Sequence, residues 1–175
     1  MIVVDSKLDK FSHSIGATSI PHPVNVGGRF SFFNTTGLLP ASLFGFNLES
    51  LILSGKEAFM NLIKKDSWVI EGVLYNYSMS DLFSESVLVK YDSVFDGALS
   101  WLRQLIAESL GKDKKAMTPI VSDRIVDRHS QLQLFLDGPD NKFFTLFSKK
   151  KNQEIFDYQK ISASVTESLI SDKII

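Results

Sequence analysis

One amphipathic run constrains this chain more than any other feature. Phe95, Ala98, Leu99, Leu102, Leu105, Ile106 and Leu110 recur at the i, i+3, i+4 and i+7 spacings of a single helix face. Ser93 and Asp96 stand as a capping pair at its start, and Gly111 follows its end, where a residue without a Cβ readily closes a helix. The pattern predicts a helix over about 93–110 whose buried stripe, centred on Leu102, must be covered by a sheet or another helix. Trp101 lies beside the stripe and either widens the buried surface or reaches into a partner. A shorter helix is expected over about 55–65, with Ser54 and Glu57 as its capping box and Ala58, Phe59, Leu62 and Ile63 as its apolar side.

The remaining apolar runs read as strands. Arg29 to Phe32 is short and followed by the turn residues Asn34-Thr35-Thr36-Gly37, and Phe44, Phe46 and Leu48 alternate within Ala41 to Leu53. From Ser67 to Met79 both parities are apolar, the pattern of a strand covered on two faces, with Glu71-Gly72 marking a bulge. Val87 to Tyr91, Ile120 to Arg128 and Gln131 to Leu136 complete the set. Asp137-Gly138-Pro139-Asp140-Asn141 supplies turn chemistry that would reverse the chain into a hairpin with Lys142 to Phe147. The expected fold class is therefore α+β: a largely antiparallel sheet of about six strands, one main helix, one shorter helix and extended terminal segments.

Three regions follow from this reading. Residues 1–28 form an N-terminal arm or linker, since Pro21-His22-Pro23 enforces extended backbone and Ile2, Val3, Val4, Ile15 and Ile20 show no period. Residues 29–148 form the globular α+β domain. Residues 149–175 form a weakly helical C-terminal segment, with Ser164 and Glu167 as a capping pair and the apolar Ile174-Ile175 at its end.

Composition excludes several function classes. A length of 175 residues with 44% hydrophobic and 22% charged residues suits one packed domain. A formal net charge of −1 leaves no general field for a polyanion, which disfavours sequence-independent nucleic-acid binding. Cysteine is absent, so disulfides, thiolate metal sites and a Cys nucleophile are excluded. No apolar run nears the ~18 residues of a membrane span, and the N-terminus turns charged before any signal-type stretch develops, so cytoplasmic synthesis is expected.

Candidate sites are few. His13, His22 and His129 are the imidazoles, and none has a partner at ligand spacing. His129 follows Asp127 and Arg128 and would be a carboxylate-oriented base, but adjacent strand residues point to opposite faces. Pro139-Asp140 opens a metal-dependent nuclease signature that Glu154, Asp157 and Lys160 fail to complete. Ser54-Gly55-Lys56 lacks the first glycine and the following Ser or Thr of a phosphate loop. Glu49, Glu71, Asp81 and Glu85 are scattered acids of the type used in glycosidic cleavage. The tracts Lys112 to Lys115 and Lys149 to Lys151 would form an anion patch if they met in space. No catalytic, cofactor-binding or metal-binding residue is assigned.

The reading that these features support is a non-enzymatic structural or adaptor subunit of a larger assembly. It would contact other protein subunits, as a homo- or hetero-oligomer, through sheet edges and terminal arms. Ile2, Val3, Val4, Ile20, Trp101, Ile174 and Ile175 are the expected interface residues. A sheet-plus-helix domain with arms is similar in architecture to the small tube and baseplate proteins of bacteriophage tails, which implies incorporation into a virion or injection-type particle. The alternatives are a monomeric binding module, such as an inhibitor or immunity protein, and an enzyme with a carboxylate-based site.

Overall fold

The computed structural model describes residues 7–149, apart from residues 24, 65 and 66. The chain divides into two compact units, residues 1–69 and residues 70–175.

The first unit is helical among its described residues. Helix α1 spans Lys7–Ser14, a 3-10 turn covers Gly28–Phe30, and α2 (Thr35–Leu43) and α3 (Leu48–Leu62) follow. The expected strands at 29–32 and 41–53 are absent, as is the extended character of residues 7–14. Asn47 explains the second case: its side chain accepts a hydrogen bond from Ser50 N at 2.9 Å and starts α3 seven residues before the expected capping box. Ser54 is then an interior residue, and its hydroxyl donates back to Ser50 O at 2.8 Å instead of capping. Gly55 sits where a Cβ would lie 2.5 Å from the Phe33 ring, so only glycine lets that ring rest on α3. The face of α3 carrying Leu48, Leu51, Gly55 and Leu62 is partly buried. Its neighbouring flank leaves Ile52, Leu53, Phe59, Met60 and Ile63 exposed, with Glu49 and Lys56 among them.

The second unit is a parallel α/β domain. After α4 (Trp68–Met79), β1 (Glu85–Lys90) leads through a 3-10 turn at Ser93–Phe95 into α5 (Asp96–Leu110), then β2 (Thr118–Asp123), α6 (Arg124–Ser130), α7 (Leu132–Asp137) and β3 (Lys142–Phe147). The strand order is β2-β1-β3, and both pairings are parallel. Val87 stands opposite Ile120 and Phe144, and Leu88 opposite Val121 and Thr145. The largely antiparallel six-strand sheet is thus replaced by three parallel strands.

Each misplaced strand has a local cause. Residues 67–79 are apolar on every side, and such a run fits a helix as well as a two-faced strand; the structure makes it α4. Asp123 ends β2 by accepting hydrogen bonds from Ile125 N and Val126 N at 2.8 and 3.3 Å, which opens α6 where the strand was expected to continue. Leu132, Leu134 and Leu136 alternate in sequence but lie in α7. The turn at 137–141 is present, yet it closes α7 and delivers β3 alongside β1 in parallel, so no hairpin forms. A Cβ at Gly138 would lie 2.3 Å from Leu134 O, which ties the helix end to glycine.

The main helix is where the period places it, but its start differs. Ser93 and Asp96 make no capping box; Asp96 instead pairs with Lys90. Both sheet faces are covered. Phe143 meets Tyr75 of α4 and Phe83 at ring-centroid distances of 5.8 and 6.1 Å, Phe147 of the same parity meets Phe95 at 6.0 Å, and Phe144 of the opposite parity meets Phe135 of α7 at 5.3 Å. Among the described residues the buried apolar ones are Val87, Leu88, Leu99, Met117 and Phe143, all in this second unit.

Leu99, 1% exposed, anchors α5, whereas Leu102 is only partly buried. Leu99→Ala should cost about 2–5 kcal/mol in chemical denaturation, and Leu102→Ala distinctly less.

Candidate functional site

In open parallel sheets, ligands bind beyond the carboxyl ends of the strands, where successive connections leave to opposite faces. In this domain that edge carries Lys90, Asp123 and Phe147 with the segments that follow. Lys90 Nζ pairs with Asp96 Oδ1 and lies 3.0 Å from Asp123 Oδ2, joining β1, α5 and β2. Its side chain is 17% exposed, against 56% for Asp96 and 34% for Asp123. On the β3 side, Tyr91 N donates to Phe147 O at 2.9 Å, and Asp92 Oδ2 accepts Lys149 N at 3.0 Å.

The electrostatics of this edge are those of a lock. Hydrogen bonds to Asp96 and then to Asp123 raise the Lys90 ammonium above its ordinary 10.5. The same bond to Lys90, followed by the Ile125 N–H, holds Asp123 below 3.8. Burial pulls Asp127 upward, but hydrogen bonds from Gln131, Asp123 N, Ser122 and Ser130 outweigh it and leave Asp127 below 3.8 as well. Asp127 accepts from Asp123 N at 2.6 Å and from Gln131 Nε2 at 2.8 Å. A cation neutralised by two carboxylates offers little to an anionic ligand.

A second polar knot closes the opposite end of the sheet. The side chain of Lys142, 6% exposed, donates to Pro139 O at 3.0 Å and Asn141 Oδ1 at 2.8 Å, with Glu85 Oε2 at 3.7 Å. Asn141 Nδ2 donates to Ser84 Oγ at 3.0 Å and Glu85 Oε1 at 3.2 Å. These bonds fix the entry of β3 beside β1.

On α5, Gln104 Nε2 donates to Glu108 Oε1 at 3.0 Å one turn later, and both side chains are exposed. This carboxylate is ordered by an amide and reachable from solvent. Glu108 falls on the polar side of a helix whose sequence signal is its core stripe, so the pattern alone does not single it out. The one available signal is the four-residue spacing from Gln104.

The other sequence candidates are dispersed. His129 is exposed on α6, and Asp127 turns to Asp123 N, Ser130 and Gln131 rather than to it. His13 lies 3.6 Å from Asp9 on α1, and the His22 ring donates to Pro23 O at 2.8 Å. Among the described residues no group of three or more His, Asp or Glu is placed to hold a metal ion. Ser54-Gly55-Lys56 is interior to α3, Pro139-Asp140 belongs to the turn before β3, and Glu85 is tied to Asn141 and Lys142. Glu49 and Glu71 are exposed on α3 and α4 respectively, and Asp81 is exposed just after α4. Of the expected interface residues, Ile20 is 48% exposed and Trp101 36%; Ile2, Val3, Val4, Ile174 and Ile175 lie outside the described residues, as does the 164–167 capping pair. No helix among the described residues is long and apolar enough to cross a membrane.

The chain's likenesses to known proteins cover most of its own length. No protein-family model matches it. Curated glucose-6-phosphate isomerases do resemble it in sequence. The chain is 36% identical over 154 residues to the glucose-6-phosphate isomerase of Campylobacter jejuni, covering 86% of this chain and 38% of that protein. It is 35% identical over 134 residues to the glucose-6-phosphate isomerase of Methanocaldococcus jannaschii, covering 74% and 33% respectively. A crystal structure of a hypothetical protein from Thermus thermophilus superposes with a TM-score of 0.71 at 26% identity, covering 87% of this chain and 41% of that one. The chain thus spans about a third to two-fifths of the length of the curated relatives.

These likenesses overturn the expectation of a non-enzymatic structural subunit of phage-tail type, and with it the virion assignment, because the relatives are named as isomerases of glucose 6-phosphate. They equally give no support to an inhibitor or immunity module.

The depressed carboxyls make a signed pH prediction. A group with a lowered folded-state pKa stabilises the fold above its unfolded value and loses that contribution as pH falls through the folded one. The melting temperature should therefore fall as pH drops from about 5 toward and below the ordinary carboxylate range. Asp127→Asn should flatten that fall in thermal melts followed by circular dichroism. Lys90 works in the opposite sense, its contribution being complete below 10.5 and lost above its raised value.

Proposed function

We propose that this chain forms part of a glucose-6-phosphate isomerase and takes part in the redox-neutral interconversion of an aldose phosphate and a ketose phosphate. The observation that carries this reading is the 36% identity extending over 86% of the chain, shared in kind with an archaeal relative of the same name.

The reaction requires a base that removes a proton from the carbon beside the carbonyl and returns it to the neighbouring carbon. Asp123 and Asp127 are poor bases, since their hydrogen bonds hold the ionised form too firmly. Glu85 is committed to Asn141 and Lys142. Glu108, exposed and ordered by Gln104, is the carboxylate to which we assign the proton transfer.

The test is a chimera in which this chain replaces its matching segment of the Campylobacter jejuni relative. A coupled assay should detect conversion of glucose 6-phosphate. Glu108→Gln should lower kcat by about 10²–10⁴ with an unchanged melting temperature. A folded chimera with no isomerase turnover sinks the reading, and a Glu108→Gln variant of full activity removes that residue from the chemistry.

A further inference from the structure

We infer that Lys90 is a positioning residue for Glu108, acting through Asp96 and the rigid body of α5. The inference rests on the proton transfer proposed for Glu108. Lys90 closes the β1-α5-β2 unit at both of its junctions. It stands opposite Asp123 in the parallel register, lies 3.0 Å from Asp123 Oδ2, and pairs on its other side with Asp96, the first residue of α5. Its ammonium is held at a defined point, since β1 is paired on both edges and the Lys90 side chain is only 17% exposed.

What this bond adds to α5 is direction. No side chain caps the first turn of α5 or the 3-10 turn before it. Leu99 is the buried residue of the helix, Leu102, Leu105 and Ile106 are partly buried, and Phe95 meets Phe147 just before it. Apolar contacts hold a helix against a sheet but are non-directional, so they resist a turn about the helix axis less than a charged hydrogen bond does. The Lys90–Asp96 bond fixes that angle at the start of α5, and Glu108 lies in the last turn, about 18 Å along the axis. A carboxylate roughly 6 Å from the axis moves about 1 Å when the helix turns by about 10°. Misplacement by about 1 Å can cost about 10²-fold in rate. Stability gives the pair no comparable value, because Asp96 is 56% exposed and an ion pair in water contributes little.

The test uses the Campylobacter jejuni chimera and the isolated chain. Asp96→Ala removes the bond to α5 and leaves Asp123 to Lys90. In the chimera its kcat should fall about 10- to 100-fold, with KM within about twofold of the parent and a nearly unchanged melting temperature. Lys90→Met should give the same loss, and Lys90→Arg, which keeps a cation against both carboxylates, should recover most of the rate. Should Lys90→Met fail to fold, Asp96→Ala decides. In the Glu108→Gln background Asp96→Ala should cost nothing further, because residues that act as a unit are not additive. In the isolated chain, nitrogen–proton NMR should show Asp96→Ala shifting the Gln104 side-chain amide that donates to Glu108. Parental kcat in Asp96→Ala beside an inactive Glu108→Gln overturns the inference and leaves the proposed function standing. An equal loss in both backgrounds also overturns it, since that marks a merely structural role, and so does a Gln104 amide that Asp96→Ala does not move. A shifted amide in the chain together with a folded chimera that has no turnover removes the proposed function and leaves the link from Lys90 to Glu108 in place.

Discussion

The second unit depends on one constraint: β1 is hydrogen-bonded in parallel on both edges. A central parallel strand has no solvent face and no free edge, so its residues must be apolar on both sides and its neighbours must return by crossovers. Val87 at 0% exposure and Leu88 at 3% satisfy the first requirement on adjacent positions. The helix α5 and the pair α6–α7 satisfy the second, and the aromatic contacts at Phe143, Phe147 and Phe144 show both sheet faces occupied. Antiparallel strands joined by tight turns could have left one face wet. This topology cannot.

Polar groups hold the sheet at its two ends. Lys90 with Asp96 and Asp123 ties β1 to its neighbour and to the start of α5, while Lys142 with Asn141 and Glu85 sets the entry of β3. Buried or half-buried charges of this kind add less stability than their Coulomb attraction suggests, because desolvation opposes it, but leaving one partner alone is strongly unfavourable. Their service is to fix register and connection. It also explains why the strand-end edge, the first place to seek a ligand in an α/β domain, is already occupied by its own side chains. The exposed, amide-ordered Glu108 stands apart from both locks.

The first unit has a different character. Among its described residues no large apolar side chain is fully buried, while Phe30, Phe44, Phe46 and Phe59 are each more than half exposed. The phenylalanines among the described residues are thus divided between a small, tight core around Phe143 and exposed positions. Contiguous apolar surface on a folded domain marks a contact site.

The sequence by itself determined the elements whose pattern is one-sided. The α5 stripe has a single period and a glycine stop, and it is a helix to within three residues of its expected ends. Val87 to Lys90 and Lys142 to Phe147 are strands because β-branched and aromatic residues there have no helical alternative of adequate length. Tertiary structure decided the rest. Residues 67–79, apolar all round, satisfy either period, and only packing of Tyr75 on Phe143 favours the helix. Leu132, Leu134 and Leu136 alternate like a strand, yet the side chain of Asp123 had already turned the chain into helix, and a crossover to the far side of β1 required α7. Glu108 is one exposed acid among many in the sequence; only the helix places Gln104 against it, because residues four apart meet on a helix face and nowhere else in local structure. Parallel against antiparallel pairing was likewise beyond local reading, since a turn sequence reports that the chain bends, while the direction of the next strand is set by which edge of β1 it must reach.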